Sequence, residues 1–129
     1  MNEEELIKIA IGEALNGHKT LGPGLFESVY KTCLAHDLRK LGLFVEVEKR
    51  VPLIYKGVHM ECGYRADIVV EQKIIIDTKH IEAIGPIHIS QVLTYLRLLN
   101  LRHGLIINFN NVLLKNGIRR VLNGFERII

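Results

Sequence analysis

Two short runs rich in Ile and Val, separated by only a few residues, constrain the fold most strongly. Residues 64–70 and 73–79 have the composition of two neighbouring β-strands. Asp67 lies in the first run, and Asp77 and Lys79 lie in the second. Because side chains alternate along a strand, Asp77 and Lys79 should point the same way. A half-buried strand rarely holds carboxylates unless a partner compensates their charge, and a divalent cation is one such partner. The strand pair is therefore the first candidate site.

The turn between the two runs decides whether the aspartates can share a cation. A three-residue turn over 71–73 pairs Val70 with Ile74 and places Asp67 opposite Asp77, whereas a two-residue turn separates the carboxylates. The chain has no Asn-Gly or Asp-Gly at this point, and these are the dipeptides that favour the tighter turn. We therefore expect the three-residue register and two converging carboxylates.

Other side chains extend the candidate site, and each has an ordinary structural alternative. Glu27 begins the apolar stripe of a predicted helix and should lie close to the sheet, although helix N-termini favour acidic residues in any case. Lys79 can stabilise phosphate charge or orient water, and the alternative is a solvated lysine at a strand end. Gln91, on a later helix, can hold water or a phosphate, or cap the sheet edge. Asp67 could instead form an ion pair with Arg65.

The order of predicted elements indicates an α/β fold with a central mixed β-sheet flanked by helices (αβββαβ). Helices are expected over residues 3–16, 25–41 and 86–100, and strands over 44–55, 58–61, 64–70, 73–79 and 104–109. Residues 112–129 fit either two strands or a strand and a short helix. The strands on either side of the last helix should be parallel and joined by a right-handed crossover.

The alternation over residues 44–55 predicts a strand with one wet side, and the apolar stripe of the second helix predicts a buried face. The strand should place Val45, Val47, Val51 and Leu53 on one side, with Pro52 at a sheet edge or a bulge. The helix stripe consists of Glu27, Tyr30, Leu34, Leu38 and Leu41.

Composition sets the class of protein. The 129 residues are expected to form one domain over residues 1–129, and 48% hydrophobic residues exclude a disordered tail. No apolar run is long enough to span a membrane, so no membrane partner is expected. With only Cys33 and Cys62, no disulfide framework is expected, which indicates a cytoplasmic protein. A net charge of +3 is compatible with a polyanionic partner.

Metal preference follows from the ligand types. The six histidines include no pair with the helical i, i+4 spacing of a zinc site. The carboxylate oxygens of Asp67 and Asp77 are hard ligands, which favour Mg²⁺ or Mn²⁺.

A set of motifs in a fixed order resembles a known family. Residues 24–30 read Gly-Leu-Phe-Glu-Ser-Val-Tyr, which resembles the signature of the GxxExxY proteins. The resemblance covers the chain from about His18 to Asn123 and continues through residues 63–67, 76–79, 86–88, 91–96 and 104–109. The GxxExxY proteins look like compact members of the PD-(D/E)xK nuclease superfamily. The resemblance therefore implies a restriction-endonuclease-like core, in which a four-stranded mixed sheet lies between helices.

The resemblance also implies roles for six residues. These are Glu27 as a helix-borne acid that helps hold a metal or its water, Asp67 as the metal-bridging acid, Asp77 as the second ligand, Thr78 as the donor of a backbone carbonyl, Lys79 as the catalytic lysine, and Gln91 as a glutamine near the scissile phosphate. Two positions depart from the family pattern, since Asp77 stands where Glu is more frequent and Ala66 stands where a proline often precedes the aspartate.

Three functions remain open at this point. The first is a Mg²⁺- or Mn²⁺-dependent nuclease that acts on nucleic acid, DNA rather than RNA. The second is a catalytically silent module that binds nucleic acid or protein, and its phosphate contacts are expected at Arg65, Arg119, Arg120 and Arg127. The third is a homodimer formed through the apolar residues 128–129 or the strand over 44–55, which is compatible with either of the other two.

Overall fold

A five-stranded mixed sheet has two helices on one face and one helix on the other. The computed structural model describes residues 1–61 and 63–124, so Cys62, Arg127 and residues 128–129 lie outside the described part. The helices are α1 (Glu3–Leu21), α2 (Glu27–Lys40), α3 (Pro86–Leu99) and a short 3-10 helix (Leu114–Gly117). The strands are β1 (Val45–Arg50), β2 (Leu53–Tyr55), β3 (Val58–Met60), β4 (Arg65–Val70), β5 (Ile74–Lys79), β6 (His103–Asn108) and β7 (Ile118–Leu122).

The strand order explains where the core lies. The order is β1-β4-β5-β6-β7, with β5 and β6 parallel and the other neighbouring pairs antiparallel. Side chains of β4, β5 and β6 form two apolar layers, one against α1 and α2 and the other against α3. The predicted mixed sheet flanked by helices is therefore confirmed, and β7 makes it five-stranded rather than four-stranded.

The hairpin between β4 and β5 has the predicted three-residue turn. Val70 pairs with Ile74, and the register continues to Ile68 opposite Ile76. Glu71 and Gln72 adopt positive φ angles of 53° and 54°, a region that residues other than Gly and Asn seldom occupy. The Glu71 carboxylate accepts a hydrogen bond from the N–H of Phe44 at 2.6 Å, and its own N–H donates to the Phe44 carbonyl at 2.7 Å. These two bonds hold the turn in place.

The prediction of one continuous strand over residues 44–55, with its apolar residues on one face, is wrong. Val45 and Val47 pack in the layer under α1 and α2, whereas Val51 packs in the layer under α3. Between them Glu48 has φ of 56°, which interrupts the extended alternation. β1 is an edge strand, and the strand ends before Pro52.

The residues after Pro52 form a separate two-stranded hairpin, in which Leu53 pairs with Met60. This hairpin exposes several apolar side chains, namely Ile54, Tyr55, Val58 and Met60.

Several element boundaries also differ from the predicted ones. α1 continues past the predicted end at residue 16 to Leu21, with Gly12 and Gly17 inside the helix. The chain leaves the helix only at Gly22, which has φ of 76°. α2 ends at Lys40, so Leu41, which we had assigned to the buried stripe, is 54% exposed. In the described part of the chain, no helix is long and apolar enough to cross a membrane.

Candidate active site

Asp77 is the buried acid of the site. It lies near the end of β5 with 4% of its surface exposed, and its Oδ2 atom has no hydrogen-bond partner among the described residues. Burial raises the pKa of Asp77 from 3.8 to about 7; the nearby Lys79 charge opposes this shift, and the Asp67 carboxyl adds to it. Lys79 Nζ lies 3.2 Å from Asp77 Oδ2, close enough for attraction between charges. The site therefore holds a desolvated carboxyl whose charge is incompletely compensated.

Asp67 is the second acid, and Thr78 holds it. Asp67 Oδ2 accepts hydrogen bonds from the Thr78 N–H at 2.9 Å and from Thr78 Oγ1 at 3.2 Å. Its other oxygen, Oδ1, lies 3.5 Å from Lys31 Nζ. Because Asp67 also acts on the pKa of Asp77, the two carboxyls are neighbours, as the three-residue turn predicts. No ion pair joins Asp67 to Arg65 in residues 1–61 and 63–124, so that alternative is wrong.

An irregular stretch of backbone surrounds Asp67. Glu48 stands between two residues of β1 that pair with Ile68 and Ala66, the neighbours of Asp67, and its φ of 56° is costly for a residue with a Cβ. On β4, Ala66 and Val69 pack in the same apolar layer although they are three residues apart, so the alternation slips there as well. β1 and β4 therefore both depart from regular strand geometry next to Asp67.

Lys31 joins the acids of the site to this irregular stretch. Its Nζ atom donates to Glu48 Oε2 at 2.6 Å and lies within ion-pair distance of Asp67. Burial lowers the pKa of Lys31, but the interactions with Glu48 and Asp67 outweigh burial, so the net shift is upward. Sequence reasoning missed this lysine. The signal was its position four residues after Glu27, which places both on the same face of α2.

Glu27 reaches the site through Thr78. It is the first residue of α2, and its Oε2 accepts a hydrogen bond from Thr78 Oγ1 at 3.1 Å. A hydroxyl has one proton, so Thr78 Oγ1 donates to Glu27 or to Asp67 at any moment. The Thr78 N–H and hydroxyl therefore hold the two acids, and the backbone carbonyl that the resemblance implies as a metal ligand is a separate group of the same residue.

Tyr30 explains why α2 begins where it does. Its hydroxyl donates to the Gly22 carbonyl and accepts from the Leu25 N–H, so it closes the loop between α1 and α2. The Tyr30 ring stacks on Phe109 with centroids 4.5 Å apart and 3° between the planes. The loop is therefore anchored to the core, and the anchored loop sets Glu27 against Thr78.

Lys79 and Gln91, both predicted from the sequence as candidate site residues, form a hydrogen bond with each other. Lys79 Nζ donates to Gln91 Oε1 at 3.3 Å, and Gln91 Nε2 donates to the Tyr95 hydroxyl at 3.3 Å. Burial raises the pKa of Tyr95, and the hydrogen bond from Gln91 lowers it in part. The lysine is therefore held on one side by Asp77 and on the other by a glutamine of α3.

The arginines predicted to contact nucleic acid lie in two places. Arg65 is exposed at the start of β4, close in sequence to Asp67. Arg119 and Arg120 are exposed on the edge strand β7, and β6 lies between β7 and β5. Arg120 forms an ion pair with Glu4 of α1, whose pKa is lowered by the hydrogen bond from this arginine.

The donor set fits a divalent cation that has two carboxylate ligands. Asp77 Oδ2 is a buried acceptor without a hydrogen-bond partner in the described residues, next to a second carboxyl. A cation would coordinate an oxygen that has the Lys79 ammonium nearby but accepts no hydrogen bond in the described residues, and it would offset the negative charge of the two acids. Among residues 1–61 and 63–124, no group of three or more His, Cys, Asp or Glu side chains is arranged to hold a metal. A third protein ligand would therefore be a backbone carbonyl or Glu27 after movement.

Comparison with known proteins identifies the family. The profile described as the PD-(D/E)XK nuclease superfamily matches residues 4–121, which include every site residue described above. No curated protein and no solved structure matches the chain significantly. The five-stranded mixed sheet flanked by helices is consistent with the restriction-endonuclease-like fold of that superfamily. From the profile match over nearly its whole length, the chain belongs to the PD-(D/E)XK nuclease superfamily.

Proposed function

We propose that the protein is a metal-dependent nuclease that hydrolyses phosphodiester bonds in nucleic acid. The observation that carries this proposal is the arrangement around Asp77. A buried carboxylate oxygen without a hydrogen-bond partner in the described residues lies beside Asp67 on one side and 3.2 Å from the ammonium of Lys79 on the other. An incompletely compensated buried acid destabilises a purely structural site, whereas a bound cation would neutralise its charge.

Asp67 and Asp77 are the proposed ligands of Mg²⁺ or Mn²⁺, and the Thr78 carbonyl is a proposed third donor. A divalent cation held there supplies a water of lowered pKa and neutralises charge on the phosphate. Glu27 acts through Thr78, because the shared hydroxyl fixes Asp67 and leaves the second oxygen of Glu27 for a water. The carboxylate of Asp77 is one methylene shorter than that of the more frequent Glu.

Lys79 is the proposed catalytic lysine. Its ammonium is held between Asp77 and Gln91, at 3.2 and 3.3 Å, so its position is defined before substrate binds. A cation fixed in this way stabilises the negative charge that develops on the phosphate oxygens without the cost of reorganising solvent. Gln91 then serves as the positioning residue for Lys79, and its contact with Tyr95 orients its amide.

The substrate is proposed to be DNA rather than RNA, and the chain is proposed to belong to the GxxExxY branch of the superfamily. The structure supports a role for that signature, because its Glu bonds to Thr78 and its Tyr closes the loop before α2. Arg65 lies nearest in sequence to the acids and is the first candidate for a phosphate contact, followed by Arg119. A homodimer formed through edge strand β1 remains compatible with this activity.

A cleavage panel tests the proposal. The purified protein is incubated with single- and double-stranded DNA and RNA in Mn²⁺, Mg²⁺ or EDTA. Lys79→Ala is expected to lower the rate by more than about 100-fold, because the charge-stabilising ammonium is lost. Lys73→Ala is the matched control, since Lys73 lies at the other end of the same hairpin, where its Nζ contacts the Met1 carbonyl.

Metal binding gives the second measurement. Asp67→Ala and Asp77→Ala are each expected to weaken Mn²⁺ binding in calorimetry, whereas Lys73→Ala should bind as the wild type does. Cleavage that survives in Lys79→Ala indicates a different site or a contaminant. Metal binding without cleavage of any substrate in the panel favours the catalytically silent binding module.

A further inference from the structure

A groove with a volume of about 540 Å³ is lined in part by Gln91, the residue that contacts the proposed catalytic lysine. The chain segment before β4 provides Tyr64, and α3 provides Ile87, His88, Gln91 and Tyr95. The volume lies within the range of about 300–1,000 Å³ that is usual for ligand pockets. We call it the Tyr64 groove.

The walls of the Tyr64 groove present an exposed aromatic surface. Tyr64 is 47% exposed, and its ring centroid lies 6.1 Å from that of Tyr95, with 50° between the ring planes. Ile87 is 74% exposed although it is aliphatic. The Tyr64 carbonyl accepts a hydrogen bond from the Val51 N–H at 3.0 Å, which holds this segment in place. A fixed, half-exposed tyrosine beside apolar side chains is a surface on which a flat aromatic ring can stack.

A chain of side-chain contacts links the groove to the proposed reaction centre. Lys79 contacts Gln91, Gln91 contacts Tyr95, and Tyr95 lies against Tyr64. A phosphate held at Lys79 and a ring stacked on Tyr64 are thus separated by two side chains. Gln91 therefore belongs both to the groove and to the surroundings of Lys79, so one strand that lies along α3 can contact both.

The groove also offers a hydrogen-bond donor. His88 Nδ1 accepts a hydrogen bond from the Gly85 N–H at 2.8 Å, so the neutral ring carries its proton on Nε2. Within the described part of the chain Nε2 has no hydrogen-bond partner. A base has acceptor atoms on its edges, and such an acceptor matches this donor.

From these observations we infer that the Tyr64 groove binds one unpaired nucleobase of the strand that is cut. This inference rests on the proposed nuclease function and adds the substrate class to it. In a duplex both faces of a base are stacked and its edge is paired, so a base must leave the helix to reach Tyr64. The protein should therefore bind single strands, or frayed ends, in preference to blunt duplexes.

Binding is measured apart from cleavage. Fluorescence anisotropy follows a labelled single-stranded oligonucleotide, as DNA and as RNA, and a blunt DNA duplex of the same sequence, with otherwise wild-type protein in EDTA so that no strand is cut. Adding Tyr64→Ala is expected to weaken single-strand binding about tenfold, whereas Tyr64→Phe should stay within about twofold, because stacking needs the ring and not the hydroxyl. Tyr55→Ala is the matched control, since Tyr55 is 55% exposed on β2 but does not line the groove.

The outcomes separate this inference from the nuclease proposal. Wild-type protein that cleaves single strands, together with unchanged binding by the Tyr64→Ala variant, overturns the groove and leaves the nuclease standing. Binding that depends on Tyr64, without cleavage in any metal, supports the groove and removes the nuclease. The inference is overturned by any of three results: equal affinity for the single strand and the blunt duplex, equal losses of affinity in Tyr64→Ala and Tyr55→Ala, or no binding of either DNA or RNA. A peptide or small molecule would then be the occupant to seek.

Discussion

Replacing Asp77 with asparagine is expected to stabilise the metal-free protein at neutral and alkaline pH. Burial and the neighbouring Asp67 raise the pKa of Asp77 from 3.8 to about 7. The folded protein therefore holds this proton more tightly than the unfolded chain, and the free energy of unfolding must fall as the pH rises through that interval. Well below pH 3.8 the carboxyl is protonated in both states and carries no penalty. Well above pH 7 it is ionised in both states and the full penalty applies.

The pKa interval sets the size of the effect. A change from 3.8 to about 7 corresponds to up to roughly 4 kcal/mol of lost stability in the wild type above pH 7. Asparagine has nearly the same shape and no charge, so Asp77→Asn should recover most of this energy. The melting temperature of the variant at pH 8.5 should then exceed that of the wild type by an amount on the order of 10 °C.

Urea unfolding in EDTA, at steps from pH 4.5 to 8.5, measures this difference directly. Glu82→Gln removes an exposed carboxylate from the loop after β5 and should leave the pH dependence of the wild type unchanged. Saturating Mn²⁺ at pH 8.5 should stabilise the wild type but not Asp77→Asn, because only the wild type has both proposed ligands. If the curves for the wild type and Asp77→Asn run parallel across the whole range, the description of Asp77 as an uncompensated buried acid is refuted.

Two further predictions concern the Thr78 hydroxyl within the site and the exposed arginines of β7. Thr78→Val is expected to lower the free energy of unfolding in urea by about 1–3 kcal/mol, because Glu27 and Asp67 lose the buried hydroxyl that they share. Thr78→Ser keeps a hydroxyl and should retain most of the wild-type stability. A Thr78→Val variant as stable as the wild type would contradict the shared hydrogen bond. Arg119→Ala is expected to reduce the salt dependence of oligonucleotide binding by a slope of about one, and Arg120→Ala by less, because its guanidinium is ion-paired on α1. Slopes identical to that of the wild type in both variants would place the nucleic acid away from β7.

The strand pair at the centre of the protein follows from local pattern. The Ile- and Val-rich runs around Asp67 and Asp77 form β4 and β5, and the three-residue turn pairs Val70 with Ile74 as predicted. These features are predictable because strand composition and turn length act over a few residues. The order of helices and strands in turn restricts the fold to a mixed sheet between helices.

The site residues were predicted with unequal detail. Lys79 and Gln91 contact each other; strand alternation and helix position made both candidates, and the family resemblance implied their roles. The roles assigned to Glu27 and Thr78 came from family resemblance, and the hydroxyl that links Glu27 to Asp67 through Thr78 had no signal in the sequence. That bond depends on how closely α2 approaches β5, which is a property of packing across the core.

Glu48 and Lys31 mark the boundary between local pattern and three-dimensional arrangement. The alternation over residues 44–55 predicted a regular strand, but Glu48 adopts φ of 56° and turns Val51 to the other face of the sheet. No residue preference predicts a glutamate in that conformation. The Glu48 carboxylate accepts a hydrogen bond from Lys31 at 2.6 Å, and this lysine, from a helix distant in sequence, also approaches Asp67. Short-range periodicity could therefore locate the acids, whereas the Lys31 contacts and the irregular backbone at Glu48 arise only where distant segments pack together.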